Sequence, residues 1–96
     1  MILTNKRTVS TAVPTSLSLT DNGVPYNIID YTNATGGDNL TITNLVEGAV
    51  FIVHNAPSFP SASIGVLPSL AAPIPVGDGG ARQFLCRSGI LVPISW

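Results

Sequence analysis

The chain has 96 residues, of which 45% are apolar and 9% charged, with a formal net charge of −1; soluble domains usually carry about 25% charged residues. One cysteine and one histidine exclude an intrachain disulfide and a structural zinc site with four protein ligands. The four cations, Lys6, Arg7, Arg82 and Arg87, are too few for a nucleic-acid footprint, and no apolar run is long enough to cross a membrane as a helix.

Residues 1–13 read as an N-terminal arm or an edge strand, with Ile2 and Leu3 as its contact candidates. The opening Met1-Ile2-Leu3-Thr4-Asn5-Lys6-Arg7 lacks the charged-then-apolar order of a signal peptide, so synthesis in a cytoplasm is expected. A free cysteine fits that compartment. Thr15 to Thr20 alternates strictly, with Leu17 and Leu19 on one face, and predicts a strand. Asp21-Asn22-Gly23 is a tight-turn signal. Tyr26 to Thr32 is aromatic and β-branched, with apolar groups on both faces, and Asn33 to Asn39 reads as a loop. Leu40 to Asn44 alternates again, with Leu40 and Ile42 inward and the threonines outward. Gly48 opens the apolar run Ala49 to Val53, a central strand with a polar end at His54-Asn55.

Residues 57–75 change character, because Pro57, Pro60, Pro68, Pro73 and Pro75 fall there. Proline cannot donate to a sheet ladder, so the segment reads as an extended loop with one short edge strand over Ser63 to Leu67. Long loops in small domains often carry contacts. Phe59, Pro60, Pro68, Pro73 and Pro75 are therefore interface candidates, with Phe59 as the aromatic anchor. Gly77-Asp78-Gly79-Gly80 is a turn. Arg82 to Arg87 is a strand with Phe84 and Cys86 on one face, Ser88-Gly89 reverses the chain, and Ile90 to Trp96 completes a hairpin. In that last strand Ile90, Val92, Ile94 and Trp96 share a face, Pro93 marks a sheet edge, and Trp96 is a further interface candidate. The total is about seven short strands with no internal repeat, which predicts a single all-β domain, a sandwich or small barrel.

Little chemistry can be assembled from these residues. His54 has no local nucleophile motif beside it, and Cys86 aligns with the apolar Phe84, so a structural histidine and a buried thiol are expected. Asp21, Asp38 and Asp78 sit beside Gly or Asn in turns, where Asp forms local hydrogen bonds. The glycine clusters lack a P-loop lysine and a following helix. The reading is a non-enzyme without cofactor or metal. Low charge on a small, marginal domain implies instead that much of its surface is covered by other protein, first of all by further copies of itself.

The second half carries a pattern: a polar strand, Leu40 to Asn44; a Gly-led apolar strand ending in Asn, Gly48 to Asn55; a Pro/Gly-rich excursion, Ala56 to Gly80; and a closing pair with Phe84-Leu85-Cys86, Gly89 and a terminal Trp96. Over roughly residues 40–96 this resembles small β modules of tailed-bacteriophage virion proteins. The closest type is the capsid decoration (cement) protein, with tail-fibre or spike modules second. The resemblance implies a structural virion role: a homo-oligomer, with a trimer favoured, binding the major capsid protein or another virion protein on the outer capsid. A receptor-binding or carbohydrate-binding adhesin domain is the alternative. No nucleic acid or membrane is implied as a partner.

Overall fold

The computed structural model describes residues 6–9, 15–32, 38–57, 63–70 and 72–94. Among them the fold is all-β, as expected, with turns and no helix. The strands are β1 (Lys6–Val9), β2 (Thr15–Ser18), β3 (Thr20–Asp21), β4 (Val24–Pro25), β5 (Ile28–Tyr31), β6 (Asp38–Thr43), β7 (Val50–Asn55), β8 (Ile64–Leu67), β9 (Ile74–Val76), β10 (Ala81–Arg87) and β11 (Ile90–Ile94). They are shorter and more numerous than the sequence suggested. A first sheet has the order β1-β5-β7-β10-β11 and a second the order β2-β6-β8-β9, while β3 and β4 form a small hairpin.

The path of the chain explains the two sheets. It alternates between them: β1, β5 and β7 lie parallel in the first sheet, and β2, β6 and β8 lie parallel in the second. Three successive turns of chain therefore stack, each placing one strand in each sheet. The aligned rows Lys6–Ile28–Ile52 and Thr15–Leu40–Val66 set a pitch of roughly two dozen residues per turn, within the range of stacked-repeat folds. After β8 the winding stops. β9 turns back antiparallel on β8, β10 pairs antiparallel with β7, and β11 pairs antiparallel with β10.

Alternation along each strand builds the core between the sheets. Leu17, Leu40, Ile42, Ile64, Val66 and Val76 come from the second sheet, and Ile29, Tyr31, Phe51, Val53, Phe84, Cys86 and Leu91 from the first. Leu19, on the link between β2 and β3, joins the same cluster. Phe51 and Phe84 face each other across the β7–β10 ladder, with ring centroids 5.7 Å apart and planes tilted by 31°. Such offset pairs stabilise beyond simple burial. The turns follow the sequence signals. Asn22 and Gly23 have φ of 52° and 81°, and Ser88 and Gly89 have φ of 53° and 78°. Two consecutive left-handed residues define the hairpin turn whose twist matches the flanking strands.

Three expectations need correction. Ser63 to Leu67 does not lie at an edge: β8 is interior, between β6 and β9, because its four residues contain no proline. The sheet edge is instead β9, inside the stretch expected as loop, where Pro75 is tolerated. Asn55, in the polar strand end expected at His54-Asn55, is indeed the last residue of β7. It is fully buried in β7, and its amide Nδ2 donates to the Val76 carbonyl at 3.2 Å, tying the first sheet to the second. Finally, the chain does repeat in space although no repeat is visible in its residues.

Candidate interaction surface

The same alternation that fills the core decides what the two sheets show outward. On the second sheet the outward residues are mostly hydroxyls and amides: Ser16, Ser18, Asn39, Thr41 and Thr43, with Gly65 and Leu67 on β8. On the first sheet they are mostly hydrocarbon. One row runs Ile28–Ile52–Gln83–Ile94 and the next Val50–Leu85–Val92, with Ile90 beside Arg87 at the turn. All seven of these aliphatic residues, from Ile28 to Ile94, are half-buried rather than covered. The strands are apolar on both faces, which is what a sheet covered on both sides requires. Among the described residues only the inner cover, the second sheet, is supplied by this chain.

At the far end of the face the next row carries the polar Asp30 and His54, with Ala81 beside them. His54 Nδ1 lies 2.8 Å from Asp30 Oδ1, across neighbouring parallel strands. Next to a carboxylate, Nδ1 carries the proton and donates. The contact orients both side chains.

The hydrocarbon surface continues around the β11 edge. A groove of about 320 Å³ is lined by Ser69, Leu70, Ala72, Ile74, Ile90, Leu91, Val92 and Pro93. Leu70 stands on its rim with 88% of its surface exposed. Two contacts shape this region. The Leu91 amide donates to the Pro68 carbonyl at 3.1 Å, which lays the β8–β9 connection along β11. The Ser69 hydroxyl donates to the Ala72 carbonyl, closing a short bend under Leu70.

The expected contact residues divide accordingly. Pro68 is half-buried beside this groove, Pro73 is exposed over Gly65, and Pro75 is exposed on β9. Ile2, Leu3, Phe59, Pro60 and Trp96 lie outside the described residues. The structure adds Leu70 and the outward aliphatic rows of the first sheet. The period-two run Ile90, Val92, Ile94 marked part of that face in the sequence. Leu70 gave no signal there, because a lone Leu in a loop is uninformative.

Cys86 is buried on β10, and burial pushes its thiol pKa up; the backbone at Val46 pulls it down and Glu47 adds to the rise. A thiol kept protonated in an apolar pocket is inert. Glu47 Oε1 accepts from the Ser88 amide at 2.8 Å, holding the β10–β11 turn. Among the described residues no three of His, Cys, Asp and Glu gather as metal ligands. Compared with known protein families, curated proteins and solved structures, the chain matches none of them.

Proposed function

We propose that this chain is a structural virion protein that decorates a phage capsid as a homo-oligomer, a trimer being favoured, and stabilises it by adhesion to the major capsid protein. The observation that carries the reading is the contrast between the two outer faces. One is hydroxylated and suited to water, and the other is a band of aliphatic side chains continuous with an apolar groove. Contiguous apolar patches on a small protein mark sites where another protein binds. The resemblance of residues 40–96 to decoration modules supplies the kind of partner. The mechanism is mechanical: burying the band against two or more neighbours raises the work of separating them.

The test is abundance. Purified virions, separated on a gel and quantified by mass spectrometry, should hold on the order of hundreds of copies, as a symmetric shell requires. Absence from the particle would overturn the proposal.

A tail-fibre or spike module is the second reading, favoured by the stacked turns of parallel strands, an arrangement that extends along one axis. It requires only a few copies per particle, so the same quantification separates the two.

A further inference from the structure

A second cavity, of about 340 Å³, lies where the chain passes from β9 to β10, and its chemistry is unlike that of the apolar groove. It is lined by Pro75, Val76, Gly77, Gly80, Ala81 and Arg82. Pockets that take small molecules begin at about 300 Å³.

The frame of this cavity is fixed from the core. Asn55 is fully buried and holds both ends of the 77–80 turn. Its backbone amide donates to the Gly80 carbonyl at 2.8 Å, and its Nδ2 donates to the Val76 carbonyl at 3.2 Å. The Gly80 amide donates to the Gly77 carbonyl at 2.8 Å and closes the turn on itself. The two glycines give the wall backbone without side chain, and a Cβ added at Gly77 would meet nothing within 4 Å. The site is therefore both open and held in place before any ligand arrives, which lowers the cost of binding.

Arg82 supplies the charge. It shares a face of β10 with Phe84 and Cys86 by alternation, and its Nη1 reaches across to the Pro75 carbonyl of β9 at 3.3 Å. That bond occupies one of the five N–H groups of a guanidinium. Among the described residues no carboxylate pairs with Arg82. Asp78, the acid nearest to it in sequence, does not line the cavity.

From this we infer that the cavity binds a carboxylate of another protein, with the remaining N–H groups of Arg82 gripping its two oxygens. The guanidinium fork matches a carboxylate in spacing and plane. Pro75 and Ala81 supply hydrocarbon for the carbons that carry the acid. No aromatic ring lines the cavity among the described residues, which favours a peptide over an acidic sugar. The site does not involve the aliphatic face, so the inference stands apart from the capsid proposal.

The experiment uses the full chain, labelled with nitrogen-15 and followed by NMR at constant ionic strength. The probes are acetyl-Gly-Ala-Ala with a free C-terminal carboxylate, the same peptide as its C-terminal amide, acetyl-Ala-Glu-Ala-amide, and glucuronate. A carboxylate peptide should give saturable shifts at Gly77, Gly80 and the Arg82 side-chain Nε–H, and the neutral amide none. Preference for the free-acid peptide assigns the ligand to a chain end, and preference for the glutamate peptide to a side chain; either upholds the inference. Arg82→Gln should weaken binding by about tenfold or more, because the charge-assisted pair is lost. Arg82→Lys, which keeps the charge and loses the fork, should also weaken it, whereas Arg87→Gln, at an exposed cation on the same strand, should not. Gly77→Leu should block the cavity while leaving the amide shifts of β7 and β10 in place, and it decides the matter if Arg82→Gln does not fold. Equal response to the acid and amide peptides, binding that survives Arg82→Gln in a folded chain or survives Gly77→Leu, or no saturable shift up to about 10 mM peptide overturns the inference. So does glucuronate binding more tightly than either acidic peptide, which would assign the cavity to a sugar.

Discussion

Gly65 is the point where the fold's central strand pairing is most sensitive to a single added atom. It lies in β8 with Asn39 of β6 on one side and Pro75 of β9 on the other. A Cβ placed there would stand 2.5 Å from Pro73 Cβ and 2.8 Å from Asn39 Oδ1. Carbon atoms in contact prefer a separation of about 3.5–4.0 Å, so the proline would have to retreat by roughly an ångström. Pro73 cannot do so alone, because Ile74 follows directly and is fixed in the β8–β9 ladder. Overpacking of this kind costs about 1–3 kcal/mol, and two close neighbours on opposite sides place Gly65→Ala in the upper half of that range. For a domain of this length that is a fall in Tm of roughly 10 °C. Urea and thermal unfolding monitored by circular dichroism measure it directly. Gly77→Ala is the control: a Cβ there meets nothing within 4 Å, and the change should stay within about 0.5 kcal/mol of wild type. If Gly65→Ala unfolds at the wild-type temperature, β9 does not fold back over β8 as described.

Other substitutions probe the core and the tie between the sheets. Phe84→Ala removes a fully buried ring that packs on Phe51 and should cost about 3–5 kcal/mol, enough to unfold much of so small a domain; far-ultraviolet circular dichroism and a urea titration would register it. Asn55→Ala deletes the Nδ2 bond to Val76 O and should cost about 1–3 kcal/mol in the same titration. Because burial raises the Cys86 pKa, the native thiol should react with a disulfide reagent far more slowly than the urea-unfolded chain, and a rate equal to the unfolded one would place Cys86 at the surface.

Much of the local structure was legible in the residues, and the stacking was not. Leu17, Leu40, Ile42, Phe84 and Cys86 are all buried as their alternation required. Asn22-Gly23 and Ser88-Gly89 make the turns their chemistry favours. Local rules suffice there because each involves neighbours in the chain. The stacked turns depend on pairings between distant segments, and the rows that align hold unlike residues: Ile29 beside Val53, Tyr31 beside Asn55, Leu40 beside Val66. Parallel ladders need only that each residue fit its own face, so the repeat is one of backbone and leaves no repeated motif. Strand β9 was hidden by its proline, which an edge tolerates. The low charge pointed to a covered surface without indicating which one. The structure separates the outward hydroxyls of the second sheet from the outward aliphatics of the first, and that separation is what locates the candidate surface.

The aliphatic face of the first sheet is the centre of the account, and sedimentation tests it most directly. Wild-type protein at micromolar concentration should sediment as an oligomer. Ile52→Lys/Leu85→Glu, which places charges within the outward rows while leaving every core position untouched, should sediment as a folded monomer. A wild-type chain that remains a stable monomer up to millimolar concentration, or a double variant that associates as wild type does, would contradict it.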